Sequence, residues 1–179
     1  MKKYLLALLT IIPFSCMFAQ TPLLENGDME DWGKKNNSLQ KWNIPPHARD
    51  FFKQSTNAHS GKYSLQVIFE PEKKYDNRRI NTSAIELAPG KYEVSLFIKG
   101  TGEFRYITLT KNKQTPGSKD NEFNVVGVPS IGKIANTAWE EYKLSFNIEE
   151  KDIYNLHIGV NYGAPDDPIL IDDIKIVKQ

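Results

Sequence analysis

The chain has 179 residues, 23 Lys and Arg against 22 Asp and Glu, 40% hydrophobic residues and one Cys. A net charge of +1 argues against a protein that holds nucleic acid mainly by neutralising phosphates, which needs a basic excess, and against a charge-driven disordered tail. The lone Cys excludes a disulfide framework and a Cys-rich zinc site, and the length fits one domain with a core of its own.

The first segment reads as an address. Lys2 and Lys3 give a positive start, Leu5 to Ile12 form a short apolar run closed by Pro13, and small residues lead to Ala19. This is the pattern of a secretory signal peptide, too short to span a bilayer. Cleavage after Ala19 is expected, leaving residues 20–179 as a single domain. Cys16 has a second reading, the lipid-attachment cysteine of a bacterial lipoprotein. Pro13-Phe14-Ser15 before it fits that motif poorly, so Cys16 is expected to leave with the leader. The destination is then the periplasm, the cell surface or the medium. No later apolar run is long enough for a transmembrane segment.

The remainder alternates. Tyr63, Leu65, Val67 and Phe69 share one face of the segment 62–69, and Tyr92, Val94, Leu96 and Ile98 share one face of 91–99. Period-two alternation marks strands with one buried side. Segment 104–109 is β-branched and aromatic, Leu144, Phe146 and Ile148 alternate in 142–148, and Leu156, Ile158 and Val160 alternate with His157, Gly159 and Asn161. Residues 168–177 form the last strand. Ser60-Gly61, Pro89-Gly90, Gly100-Thr101-Gly102, Pro116-Gly117 and the stretch Gly163 to Pro168 read as turns, and 111–121 as a polar loop. No stretch after residue 20 keeps a helical period over three turns. Many short strands with frequent turns give an all-β sandwich or barrel.

Three segments in order resemble carbohydrate-binding modules of the family 4, 9 and 22 type, the galactose-binding-like jelly rolls. They are Leu23-Leu24-Glu25-Asn26-Gly27-Asp28-Met29-Glu30 followed by Trp42, then His59-Ser60-Gly61-Lys62-Tyr63-Ser64-Leu65, then Ile171-Asp172-Asp173-Ile174. Segments 87–95 and 139–142 match the same pattern. The resemblance implies a jelly-roll β-sandwich that binds a poly- or oligosaccharide. It also implies a structural calcium where the opening segment meets the last strand, with carboxylates from Glu30 and Asp172 and a backbone carbonyl near Lys62. Calcium takes several hard oxygen ligands, and a carboxylate between Ile171 and Ile174 needs compensation if it points inward. Read without the resemblance, Asp172 is solvated or bonded to backbone amides, and Glu30 is an exposed acid.

A sugar offers a C–H face for aromatic stacking and a rim of hydroxyls for polar side chains. If Leu96 and Ile98 face inward, Phe97 faces outward. If Leu156, Ile158 and Val160 face inward, His157 and Asn161 face outward, with open surface at Gly159. In the family-4-like modules the ligand lies along a sheet face. Phe97, Arg105, His157 and Asn161 are the candidates to line it, with Arg79 and Tyr75 reaching it from the preceding segment. For each residue alone, an ordinary solvated sheet face is the competing reading. Trp42 and Trp139 are expected in the core or over its edge, and Trp32 as a lid on it. His47, His59 and His157 are too scattered for a zinc site.

No nucleophile elbow, phosphate loop or dinucleotide fingerprint is present, and with Cys16 expected to leave with the leader the mature chain has no thiol chemistry. Binding without catalysis is the reading. Such a binder acts alone or joins a cell-surface protein complex; the alternatives are a structural or protein-binding sandwich of the bacterial envelope without a sugar site, and a small hydrolase, since the spacing of the plentiful acids in space is not legible from sequence.

Overall fold

The computed structural model describes residues 23–34, 38–68, 79–112, 123–127, 130–164 and 166–179. The leader with Cys16, Tyr75, and residues 113–121 of the polar loop lie outside them. Among the described residues the chain runs through ten strands and one 3-10 helix. The strands are β1 (Trp42–Asn43), β2 (Phe52–Ser55), β3 (Ser64–Val67), β4 (Arg79–Thr82), β5 (Ile85–Leu87), β6 (Gly90–Asn112), β7 (Phe123–Val126), β8 (Gly132–Ile148), β9 (Asp152–Gly163) and β10 (Ile169–Lys178); the 3-10 helix, Pro46–Phe51, precedes β2. No helix among the described residues is long and apolar enough to cross a membrane.

Every pairing is antiparallel, and the path is β1-β4-β9-β6-β10-β3-β2, with β5 on β9 and both β7 and β8 on β6. The two layers of the jelly-roll sandwich share the long strand β6. Its residues 92–99 pair with β10 and residues 90–98 with the end of β8. Residues 102–111 pair with β9 and residues 109–112 with β7. One layer is therefore β2-β3-β10-β6-β8, and the other is β1-β4-β9-β6 with β5 and β7.

The passage from one layer to the other corrects the sequence reading. Gly100-Thr101-Gly102 is not a turn between two strands. It is a corner inside one strand of 23 residues. Gly100 has φ +103°, and a Cβ there would lie 2.1 Å from the Pro168 carbonyl oxygen. Only a residue without a side chain bends the chain this way against a neighbouring backbone.

The core follows the alternation. Tyr92, Val94, Leu96 and Ile98 on β6 and Ile158 and Leu156 on β9 are buried, joined by Leu65, Val67, Ile171 and Ile176. Trp42 is in the core, and Trp32 packs against it from the side, donating its indole N–H to the Met29 carbonyl. Trp139 departs from expectation, being neither core nor edge cover: it stands half-buried on the outside of the first layer.

Candidate functional site

Three regions gather the chemistry-bearing side chains. The first is the outer face of the layer built on β9. Cross-strand partners in a sheet point to the same side, so register alone places rows of side chains. Arg79, Gly159 and Tyr106 stand opposite one another across β4, β9 and β6. Two residues along, Asn43, Asn81, His157 and Thr108 form a second row across four strands. Asn155 opposite Thr110 makes a third. Arg79, Asn81, Tyr106 and Asn155 are half-buried, while His157, Thr108 and Thr110 are buried.

Gly159 is not open surface as the sequence suggested. The Tyr106 ring lies across it, with three ring atoms 2.6–2.9 Å from where a Cβ would be. The glycine makes room for a flat aromatic plate on an otherwise polar face. Arg105 is exposed beside this plate, its guanidinium carbon 6.0 Å from the Tyr106 ring centroid. The β6–β9 register slips on both sides of Phe104, which turns Arg105 outward as bulges do. Asn161 is exposed and donates from its amide to the Glu103 carboxylate at 3.2 Å.

His157 lies 2.8 Å through Nε2 from the Thr110 hydroxyl. Burial, and secondly the charge of Arg79, push its pKa down to about 4. The imidazole is therefore neutral at neutral pH, one nitrogen donating and the other accepting.

The second region is the outer face of the other layer. Phe97 is there, opposite Asp172 on β10 and Glu141 on β8. The structure thus separates Phe97 from the rest of the expected group, bringing Arg79, Arg105, His157 and Asn161 to one layer and Phe97 to the other. The reason is the corner at Gly100: residues 97 and 105 share a strand but not a sheet. His59 stacks on Phe97 with ring centroids 3.6 Å apart and meets Trp139 edge-on at 5.9 Å. Its Nδ1 is 2.6 Å from Asp173 Oδ2. Sequence reading gave His59 only a turn and missed the ring contacts, for nothing in its local pattern points across 114 residues to Asp173.

The third region is the turn at residues 59–63, where the opening segment and the last strand meet. Glu30 Oε1 accepts the amides of Lys62 and Tyr63 at 2.7 and 2.9 Å. Asp172 Oδ2 accepts those of His59 and Ser60 at 2.8 and 3.3 Å, and Oδ1 that of Asp173 at 2.7 Å. Gly61, at φ +62°, lets the turn pass so close to Glu30 that a Cβ would meet its carboxylate at 2.3 Å. The two acids expected as ligands do hang on one turn. Lys62 presents its N–H to Glu30.

Asp172 is fully buried, yet it does not point into the sandwich core. It sits on the outer face beneath the turn, because the alternation of β10 puts it opposite the outward Phe97 next to the inward Ile171; the register breaks only after it, where Asp173 has φ 47°. Desolvation pushes its pKa up to about 6 against the pull of its three amides. Those amides take three of the roughly four lone-pair sites of a carboxylate. Glu30's second oxygen has no partner among the described residues. Nor do three or more acid, His or Cys side chains among them converge as a metal cluster.

No protein-family model and no curated protein matches the chain. Solved structures do resemble it. A family 61 carbohydrate-binding module in complex with β-1,4-galactotriose superposes with a TM-score of 0.58 at 17% identity, over 89% of this chain and 99% of the other. A second module of family 16 gives 0.59 at 13% over 87% and 99%, and a family 4 module gives 0.56 at 13% over the same shares. The chain has the fold of these modules along nearly their whole length.

Proposed function

We propose that the protein is an exported bacterial β-sandwich that binds an oligo- or polysaccharide without cleaving it, on the outer face of the β4-β9-β6 layer. The observation that carries this is the set of three rows across that face. An aromatic plate, Tyr106, lies next to a guanidinium, two amides, a neutral imidazole and hydroxyls held in register by the strands. A pyranose needs both parts: stacking for its C–H face and fixed polar partners for its hydroxyls. The groups are preset by backbone pairing, so little ordering entropy is lost on binding. The fold is consistent with the reading, since a module of this fold was solved with β-1,4-galactotriose; the signal-like leader supports export.

The test is affinity electrophoresis through gels containing each member of a polysaccharide panel. Retardation by at least one polysaccharide is expected, with the apparent affinity falling about tenfold in Tyr106→Ala, the scale of a central aromatic contact. Free migration in every gel overturns the reading.

Calcium belongs to the same proposal as a scaffold ion. Glu30, through its second oxygen, and Asp172, through its remaining lone pair, would hold it with backbone carbonyls of the turn. What supports it is the donor chemistry: a carboxylate that burial has stripped of water, as desolvation has Asp172, gains most from a nearby cation. When bound, the ion supplies positive charge that ties the opening segment to the last strand and takes no part in contact with sugar.

A further inference from the structure

The outer face of the opposite layer carries a group of side chains that the proposed site does not use. Phe97, His59 and Trp139 are half-buried or exposed there, and His59 is in contact with both of the others. Asp173 and Glu141 flank them. We propose that this is a second saccharide site, which makes the protein bivalent; it rests on the reading of the chain as a sugar binder.

Three features favour a sugar ring. The first is aromatic surface without a large apolar patch. The large hydrophobic side chains standing exposed among the described residues are Leu23, Ile153 and Tyr162, none of them on this face. The surroundings are charged, with Lys143 bridging to Glu141 at 3.4 Å and Glu93 at 3.9 Å. An aromatic floor inside a polar rim suits an amphipathic ring better than a protein side chain cluster.

The second feature is orientation. His59 is fixed twice, by stacking on Phe97 and by its 2.6 Å bond to Asp173. A carboxylate only accepts, so Nδ1 is the donor, and the ring is held with Nε2 turned away from Asp173 as a fixed polar atom. Nε2 has no partner among the described residues, and the side chain is 30% exposed. A hydroxyl of a ring stacked on Trp139 has a preset polar partner there, while Glu141, its side chain 40% exposed, accepts from the other side. The third feature is position. The two sites lie on opposite outer faces of one rigid sandwich, so a single short oligosaccharide cannot fill both. Two chains, or two separate stretches of one long chain, would be held instead, and avidity would follow.

The test is titration of the intact protein with oligosaccharides, β-1,4-galactotriose and xylohexaose among them. Indole N–H resonances are followed by NMR, and stoichiometry by calorimetry. Two ligands per chain are expected, with the Trp139 indole shifting in the wild type and in Tyr106→Ala, and with one ligand left in either Tyr106→Ala or Trp139→Phe. The wild-type indole shift needs no variant, so a folding defect in one does not decide the result. One ligand per chain, lost in Tyr106→Ala with the Trp139 indole unmoved, overturns the second site and leaves the proposed function standing. One ligand per chain that moves the Trp139 indole keeps this platform and overturns the Tyr106 face. No binding overturns both. Trp139 shifts with an aromatic peptide but with no saccharide assign the platform to protein and overturn the inference.

Discussion

At the scale of single residues, the informative groups are polar side chains that burial has tuned. His157 is the clearest. Its folded pKa near 4 lies below the ordinary value of 6.5, so as pH falls below about 6.5 the unfolded chain takes up a proton first and folding weakens. The loss accumulates down to about pH 4 and is absent at neutral pH. Asp172 has the opposite sign: its folded pKa is raised from 3.8 to about 6, so its contribution to stability falls as pH rises through that window. The difference between wild type and His157→Gln isolates the histidine. Urea midpoints of the two should run parallel above about pH 7, and the wild type should drop more steeply between pH 6.5 and 4.5. Parallel curves throughout would mean that His157 is not held neutral. Little of this was legible in sequence. Alternation put His157 on the outward side, and that is correct, but its neighbours Arg79 and Thr110 come from 78 and 47 residues away, and burial on an outer face is set by tertiary structure.

At the scale of elements, the long alternating strands were legible and the short ones were not. Tyr92 to Ile98 and Leu156 to Val160 bury the side their periodicity indicates. Strands β1, β2, β4 and β5 have two to four residues each, too few to show a period, and they form only because β4, β3 and β9 offer edges to pair with. The corner at Gly100 was misread for a physical reason. Turns and bends draw on the same freedom of glycine, and only long-range pairing shows that the chain continues through. Because that corner sends one half of β6 to each layer, it also decides that Phe97 and Arg105 cannot share a site. A Cβ at Gly100 would have to adopt φ +103° and overlap the Pro168 carbonyl. Gly100→Ala should therefore cost at least about 2 kcal/mol, the scale of enforced backbone strain plus a clash, read as a lower urea midpoint. An unchanged midpoint would show that β6 does not turn as described.

At the scale of the whole molecule, the opening segment, the turn at 59–63 and β10 are tied by carboxylate-to-amide bonds and by the Ile174 amide on the Gly27 carbonyl at 2.8 Å. A cation at Glu30 and Asp172 would reinforce this tie, which joins residues far apart in sequence. Free calcium at a hundred times its Kd adds about 2.7 kcal/mol. For a chain of this length that raises the melting midpoint by several degrees, at about 2–4 °C per kcal/mol. The rise should vanish in chelator and in Asp172→Ala. Identical melting of the wild type with calcium and with chelator would contradict a bound ion. The resemblance in sequence named Glu30 and Asp172, and the structure brings both to the amides of one turn. The amides that occupy most of the lone-pair sites of Asp172 were beyond its reach, because they belong to a turn folded over the sheet from outside.

The central claim is that one face of this sandwich recognises sugar through register-fixed rows centred on Tyr106. The most direct measurement is an amide chemical-shift map during titration with the polysaccharide fragment that retards the protein most. The account predicts that the largest changes fall on β4, β9 and residues 103–110 of β6, with Arg79, Asn81, Tyr106 and His157 among them. Shifts confined to other strands and loops, with these residues unmoved at saturation, would contradict it.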